Sequence, residues 1–228
     1  MARFILRDVI LSFPNLFTPR LPKDAKPGDE PKYSCTYIVT NPEQIKAFKK
    51  AAIAVAQERW GAKLAGAKLR TLETQHGPAT FLVSDALRVR MPWNDDPSVV
   101  AKKGYPAGST FINSRGTSKP GVVSIIPDPN TGKPMVITDE SKVYPGVIGN
   151  ASGDLYAYSN SGNNGVSFGL GNVQIVRDGE RLDGRANAAD EFDADADAVA
   201  DLSDLTGDDT PVGMGASDDG DDLSDLIG

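Results

Sequence analysis

Cations and aromatic rings are interleaved through the middle of this chain. Arg88 and Arg90 stand two residues apart, so they share one face of any strand that contains them, and Trp93 follows after Pro92. Lys102-Lys103-Gly104-Tyr105 again sets charge beside a ring, Lys32, Arg115 and Lys119 add cations in or near loops, and Tyr156 and Tyr158 repeat at strand spacing. Single-stranded polynucleotides need such mixtures, because cations track phosphates while flat rings stack on bases for roughly 1–3 kcal/mol each. Every one of these residues also has a plainer reading. Arg88 and Arg90 could form surface ion pairs, and paired tyrosines are often half-buried core. For Trp93 and Tyr105 the Pro and Gly neighbours favour loops and the large rings favour packing.

Catalytic chemistry finds little support. His76 is the only histidine and Cys35 the only cysteine, which excludes a two-histidine metal site, a thiolate zinc cluster and an intrachain disulfide. A Cys-His dyad would need Cys35, inside a predicted strand, to meet His76 in a loop beside Gly77-Pro78, and nothing local brings them together. Asp95-Asp96 and Asp139-Glu140 read as solvated loop acids. Gly162, Gly165, Gly169 and Gly171 lack the Gly-Lys-Ser/Thr that completes a phosphate loop, so they are expected to permit turns and strand curvature. No catalytic residue, metal or cofactor is predicted.

Charge divides the chain in two. Ala186–Gly228 carries 14 acidic side chains and no Lys or Arg, whereas the preceding residues hold all 24 basic groups against 17 acidic ones. The overall formal charge of −7 therefore hides a body of +7, suited to a polyanion for which the acidic tail could compete. The tail is too poor in apolar residues to offset its ordering entropy, so disorder is expected over 185–228. Within it Asp201-Leu202-Ser203-Asp204-Leu205 recurs as Asp222-Leu223-Ser224-Asp225-Leu226. Acid-plus-leucine pentamers suit docking, since carboxylates steer and leucines fill apolar pockets; Asp221, Asp222, Leu223, Asp225, Leu226 and Ile227 are the candidate partner-binding residues. A tail serving only solubility is the simpler alternative.

The elements that must position the cations and rings are mostly short strands. Arg3–Leu11 and Tyr33–Thr40 have strand composition, the second with Tyr33, Cys35, Tyr37 and Val39 on one expected core face. Prolines between Leu16 and Lys32 predict a loop. Asn41-Pro42-Glu43 opens a helix over about 42–60 with an N-cap, a first-turn proline and a first-turn acid, and Gly61 stops it. Strands are expected at Phe81–Met91, Ser109–Ser114, Leu155–Ser159 and Val166–Val176, with a hairpin from Val122–Ile126 to Met135–Thr138. One early helix among many strands favours a small barrel as a single domain over 1–184. Charge appears too early in Met1–Asp8 for a signal peptide, and no segment approaches the roughly 18 apolar residues of a membrane span.

Val143-Tyr144-Pro145-Gly146, Tyr156-Ala157-Tyr158 and above all the run from Gly165 through Arg177-Asp178-Gly179-Glu180-Arg181-Leu182-Asp183-Gly184 resemble a family of bacteriophage single-stranded-DNA-binding proteins, long filed as a domain of unknown function; the opening strand leading to Phe13-Pro14-Asn15-Leu16-Phe17 resembles the family's start. That resemblance implies a mainly β protein, an OB-fold five-stranded Greek-key barrel with an inserted helix and extra hairpins. It implies a protein that coats single-stranded DNA in phage replication, recombination and repair, in the cytoplasm of the infected host. It further implies a tail that contacts replication partners such as polymerase, helicase-primase or nuclease and lies over the groove when DNA is absent; a homodimer is a further candidate assembly that the residues do not decide. Related tails commonly finish on an aromatic residue, whereas this one finishes Leu226-Ile227-Gly228. Two rival classes stay open on the residues alone: a virion or assembly protein built on the Gly-, Ser- and Asn-rich Gly149–Asn172 segment, and a small hydrolase with converging acids.

Overall fold

A computed structural model describes residues 2–22, 25, 27–160 and 162–184. The tail residues 185–228, including Asp221, Asp222, Leu223, Asp225, Leu226 and Ile227, lie outside the described residues, as do the expectation of disorder and the docking pentamers.

The elements are β1 (Ala2–Arg20), β2 (Lys32–Val39), α1 (Pro42–Trp60), β3 (Lys68–Leu72), β4 (Ala79–Val83), β5 (Arg88–Arg90), β6 (Trp93–Asn94), α2 (Pro97–Lys102), β7 (Thr110–Gly116), β8 (Val122–Pro127), β9 (Pro134–Val136), β10 (Ile148–Asn160) and β11 (Asn163–Arg177). Five of them close a barrel in the order β1-β2-β7-β11-β10, with β10 returning to β1. All neighbours in it are antiparallel except β7 with β11, which run parallel. This is the OB-fold, closed so that no barrel strand is left with a bare edge.

Local signals set the helix as expected. The Asn41 side chain accepts from the N–H groups of Glu43 at 3.0 Å and Gln44 at 3.2 Å, and Gly61 takes the positive φ of the stop at 47°. Its apolar stripe, Phe48, Ala52, Val55 and Ala56, is buried; Phe48 meets Phe168 and Phe4 edge-on at 5.4 and 5.3 Å between centroids, which seats α1 against the barrel core.

Several boundaries differ from the sequence expectations. Strand β1 does not stop before Ser12-Phe13-Pro14-Asn15 but continues to Arg20, absorbing those turn residues through register shifts and through positive φ angles at Asp8 and Phe13. Phe81–Met91 is not one strand: β4 and β5 form a hairpin whose turn is held by Ser84. The Ser84 N–H donates to the Leu87 carbonyl at 2.9 Å, and its hydroxyl accepts the Leu87 N–H at 3.0 Å. Strand β3 and helix α2 stand where the sequence signals predict no regular element.

Strand β2 is buried on both faces. Cys35, Tyr37 and Val39 face the barrel core, while Ile38 joins a second cluster with Val100, Tyr105 and Phe111 where α2 covers the outside of β2 and β7. Burial raises the Cys35 thiol and the Tyr37 hydroxyl far above their ordinary values of 9.0 and 10.0, because the ionised forms would lose their hydration. Groups with raised folded values stabilise fully below their unfolded values and lose that contribution as pH rises. The urea midpoint is therefore expected to hold steady up to about pH 9 and to fall above it as the unfolded thiol, then the unfolded phenol, ionises. Cys35→Ala should remove the earliest part of that fall, and a thiol reagent at neutral pH should label Cys35 only after denaturation.

Candidate nucleic-acid interface

The outer face of the barrel and its attached sheet carries a row of cations and rings. Strand β5 pairs in parallel with β11, β4 with β5, and β3 with β4. The registers align Arg70, Phe81, Arg90, Gly165 and Tyr158 as direct cross-strand neighbours. Paired residues point to the same side, so these five share one face over four interstrand gaps, about 19 Å. That face is outward: Arg70 and Arg90 are exposed and Phe81 and Tyr158 half-buried, while Leu82 and Val89, of opposite phase, lie in the core.

Glycines make the platform. A Cβ on Gly165 would lie 2.4 Å from the Tyr158 hydroxyl oxygen and 2.5 Å from its Cζ, so the ring rests directly on bare backbone. Tyr156 is placed likewise over Gly169, with its Cε1 3.3 Å from where a Cβ would stand. The two glycines seat aromatic rings in addition to any role in strand curvature. Gly169 is also the register partner of Arg115 across the parallel β7–β11 pair, which places a cation beside the second ring. Gly165 and Gly169 are four residues apart on one strand, about 13 Å. Asp154, opposite Gly169, is a carboxylate on the same face.

Beyond Arg115 the outer face of β7 continues through Asn113, which accepts the Thr36 hydroxyl at 2.8 Å, to Phe111. There the Lys103 ammonium sits 5.5 Å from the Phe111 ring centroid and 5.8 Å from that of Tyr105. The track thus joins Arg90, Arg115, Tyr156, Tyr158 and Lys103 of the expected site. Arg88 is exposed one step along β5, level with Val83 and Lys68. Lys102 is exposed on α2; Lys32, opposite Arg20 at the start of β2, and Lys119, between β7 and β8, are exposed away from the row. Among the described residues, the ion pairs join Lys49 to Asp95, Arg177 to Asp8 and Arg181 to Asp183, and none engages Arg70, Arg88, Arg90 or Arg115. The alternative of an Arg88 or Arg90 surface ion pair is not realised there.

Two expected site residues belong to the core instead. Trp93 is 3% exposed, because β6 pairs with β7 at Ile112 and tucks the indole inward. Tyr105 is 7% exposed, its hydroxyl 3.0 Å from that of Ser12 and its ring edge-on to Phe111. Neither ring can stack on a base in this arrangement. Conversely, Lys68, Arg70 and Phe81 join the face without having been expected there, although Lys68 and Arg70 alternate at strand spacing, the same signal that singles out Arg88 and Arg90.

The end of the long motif, beyond Arg177, forms a clasp after the rest of it has run through β11. The Tyr144 hydroxyl donates to the Asp178 carboxylate at 3.0 Å and accepts the Gly179 N–H at 3.1 Å, while the Arg181 guanidinium lies 4.5 Å from the Tyr144 ring centroid. Gly146 donates to the Leu11 carbonyl at 2.7 Å and Leu182 to the Pro145 carbonyl at 2.9 Å, tying the end of β11 to the middle of β1. A cavity of 720 Å³ between α1 and α2 has a lysine rim of Lys46, Lys49 and Lys50 over apolar walls, but no aromatic side chain lines it. Among the described residues no helix is long and apolar enough to cross a membrane.

A closed five-stranded barrel with a cationic, ring-bearing outer face defines an OB-fold protein of the kind that handles nucleic acid. The family model described as Enterobacter phage Enc34 ssDNA-binding protein matches residues 2–203, and the chain belongs to that family. Among solved structures, it is similar to the C-terminally truncated single-stranded DNA-binding protein from bacteriophage Enc34, with TM-score 0.52 and 19% identity over 78% of this chain and 87% of that one. The same phage's protein in complex with ssDNA gives TM-score 0.50 and 19% identity over 78% and 88%. No curated protein matches the chain.

Proposed function

We propose that the body binds single-stranded DNA along the outer face that runs from Arg70 through Arg90 and the Tyr158–Gly165 platform to Tyr156, Arg115 and Lys103. The row of alternating cations and glycine-seated rings carries this reading: phosphates pair with the guanidinium and ammonium groups, and bases stack on the rings without hydrogen-bond readout of sequence. The protein coats and protects the strand during phage DNA replication and recombination, in the cytoplasm of the infected host cell, and its acidic tail recruits replication proteins. Membership of a DNA-binding family favours this reading over that of a virion protein.

A salt titration tests it. Four cations, Arg70, Arg90, Arg115 and Lys103, predict a log-affinity against log-salt slope of about −3 for single strands, at roughly 0.7 per phosphate. Duplex, whose bases are already stacked on one another and closed to the rings, should bind more weakly at every salt concentration. Failure to bind single strands at low salt sinks the proposal. Removing Ala186–Gly228 changes the formal charge from −7 to +7. The expected outcome in the same titration is tighter binding, most marked at low salt, because an anionic competitor and its repulsion are removed.

A further inference from the structure

Behind the platform, at the barrel mouth, a cavity of 370 Å³ opens between the C-terminal end of α1 and the β10–β11 hairpin, lined by Arg59, Trp60, Lys63, Leu87, Ser159 and Asn164. Its volume falls in the range of about 300–1,000 Å³ that small ligands occupy. Trp60 is the last residue of α1. Its indole packs partly on the core and is half-buried, and what remains uncovered lines the cavity. Arg59 and Lys63 are exposed on either side of it in sequence and line the same cavity. The opposite wall is polar: the Ser159 hydroxyl donates to the Asn164 side-chain carbonyl at 2.7 Å. An indole between two cations, facing a hydroxyl and an amide, is the chemistry that takes a nucleobase with its phosphates.

We propose that this cavity is a nucleobase subsite, entered by the single strand after it leaves the Arg90–Tyr158 row; the inference rests on the DNA-binding reading above. The registers make the two places adjacent. Gly165, under the Tyr158 ring, pairs with Arg90, and the preceding residue Asn164 pairs with Val89. Alternation along β11 sends the Gly165 position outward and the Asn164 side chain inward, so platform and cavity wall lie on opposite faces of the sheet, one residue apart along the strand. A polynucleotide that follows the row to the hairpin end of β10 and β11 rounds the sheet there and meets Trp60. In the sequence Trp60 carries no sign of this, because it closes a helix whose apolar stripe accounts for its burial.

The chain has only two tryptophans, Trp60 and the 3%-exposed Trp93, so the indole itself reports. The full-length protein and its Trp60→Phe and Trp93→Phe variants are titrated with an end-labelled oligothymidylate. Tryptophan emission and label anisotropy are recorded together. Stacking on Trp60 predicts quenching that follows the anisotropy curve in the wild type and in Trp93→Phe, and that vanishes in Trp60→Phe. Trp60→Leu should weaken binding about tenfold with an unchanged salt slope, since a ring and not a charge is removed, whereas Arg59→Ala with Lys63→Ala should flatten the slope. Normal anisotropy with unaltered emission in the wild type overturns the subsite and leaves the DNA-binding reading standing. An anisotropy that never rises overturns that reading and this inference with it. Should Trp93→Phe fail to fold, the comparison of wild type with Trp60→Phe decides the matter alone.

Discussion

Gly146→Ala is expected to lower the unfolding free energy by about 3 kcal/mol or more, a loss that places it among the severe point substitutions. An added Cβ would stand 1.9 Å from the Glu180 carbonyl oxygen and 2.8 Å from its carbon, backbone atoms that cannot rotate away. The residue also holds φ at +114°, outside the region open to residues with a side chain. Relief would require the 143–146 turn to separate from 178–182, and that movement breaks the bonds of Tyr144 to Asp178 and Gly179 and of Leu182 to Pro145. The damage extends to the barrel, because Gly146 N–H is bonded to Leu11 in β1. Gly132→Ala is the control: φ is +64° there, but nothing stands within 4 Å of the new Cβ. It should cost only about 1–2 kcal/mol, the left-handed penalty alone. Urea denaturation of the two variants beside wild type measures both; equal losses would show that φ, and not the close approach, governs Gly146.

Tyr144 and Gly146 also show why part of the architecture is open to reading from the chain and part is not. Features set by near neighbours come through. Asn41, Pro42, Glu43 and Gly61 mark the ends of α1 within one turn of their partners, and the alternation of Cys35, Tyr37 and Val39 marks a core face, so helix and strand can be placed from the chain alone. The closed barrel with an inserted helix follows from the strand count and from the family resemblance. What fails depends on distant partners. Trp93 and Tyr105 have loop neighbours on both sides, but β7 and Ser12 draw them inward, and neither interaction has a local trace. The outward row is a stronger case. Arg90 reaches Tyr158 only because β5 lies parallel to β11, a pairing between segments some 75 positions apart in the chain that no periodicity announces. The same holds for Gly165 and Gly169, which read in the sequence as residues that permit turns and strand curvature and whose use is to receive rings from the neighbouring strand.

Removing both Arg90 and Arg115 is expected to weaken single-strand binding by roughly a hundredfold at low salt, at about 1.5 kcal/mol for each charge-assisted hydrogen bond to phosphate. Both guanidiniums are exposed and, among the described residues, without an ion-pair partner, so neither is needed to neutralise a neighbouring carboxylate and the fold should be indifferent to Arg90→Ala with Arg115→Ala. The salt slope should flatten by about 1.4, two phosphates at roughly 0.7 each, whatever the base composition of the strand. Tyr158→Ala makes the complementary case. Its ring can contribute about 1–3 kcal/mol through stacking and no charge, so affinity should drop while the slope is preserved. Tyr158→Phe should restore most of it, since the flat ring on Gly165 is what stacks. Fluorescence anisotropy over a salt series separates the two mechanisms in one experiment. If the double arginine variant kept its slope, phosphates would not lie between β5 and β7, and the outer face would have to be abandoned as the DNA track even if the protein still bound DNA elsewhere. If Tyr158→Ala changed the slope and not the affinity at a reference salt, the platform would be holding cations in place and would not be receiving bases.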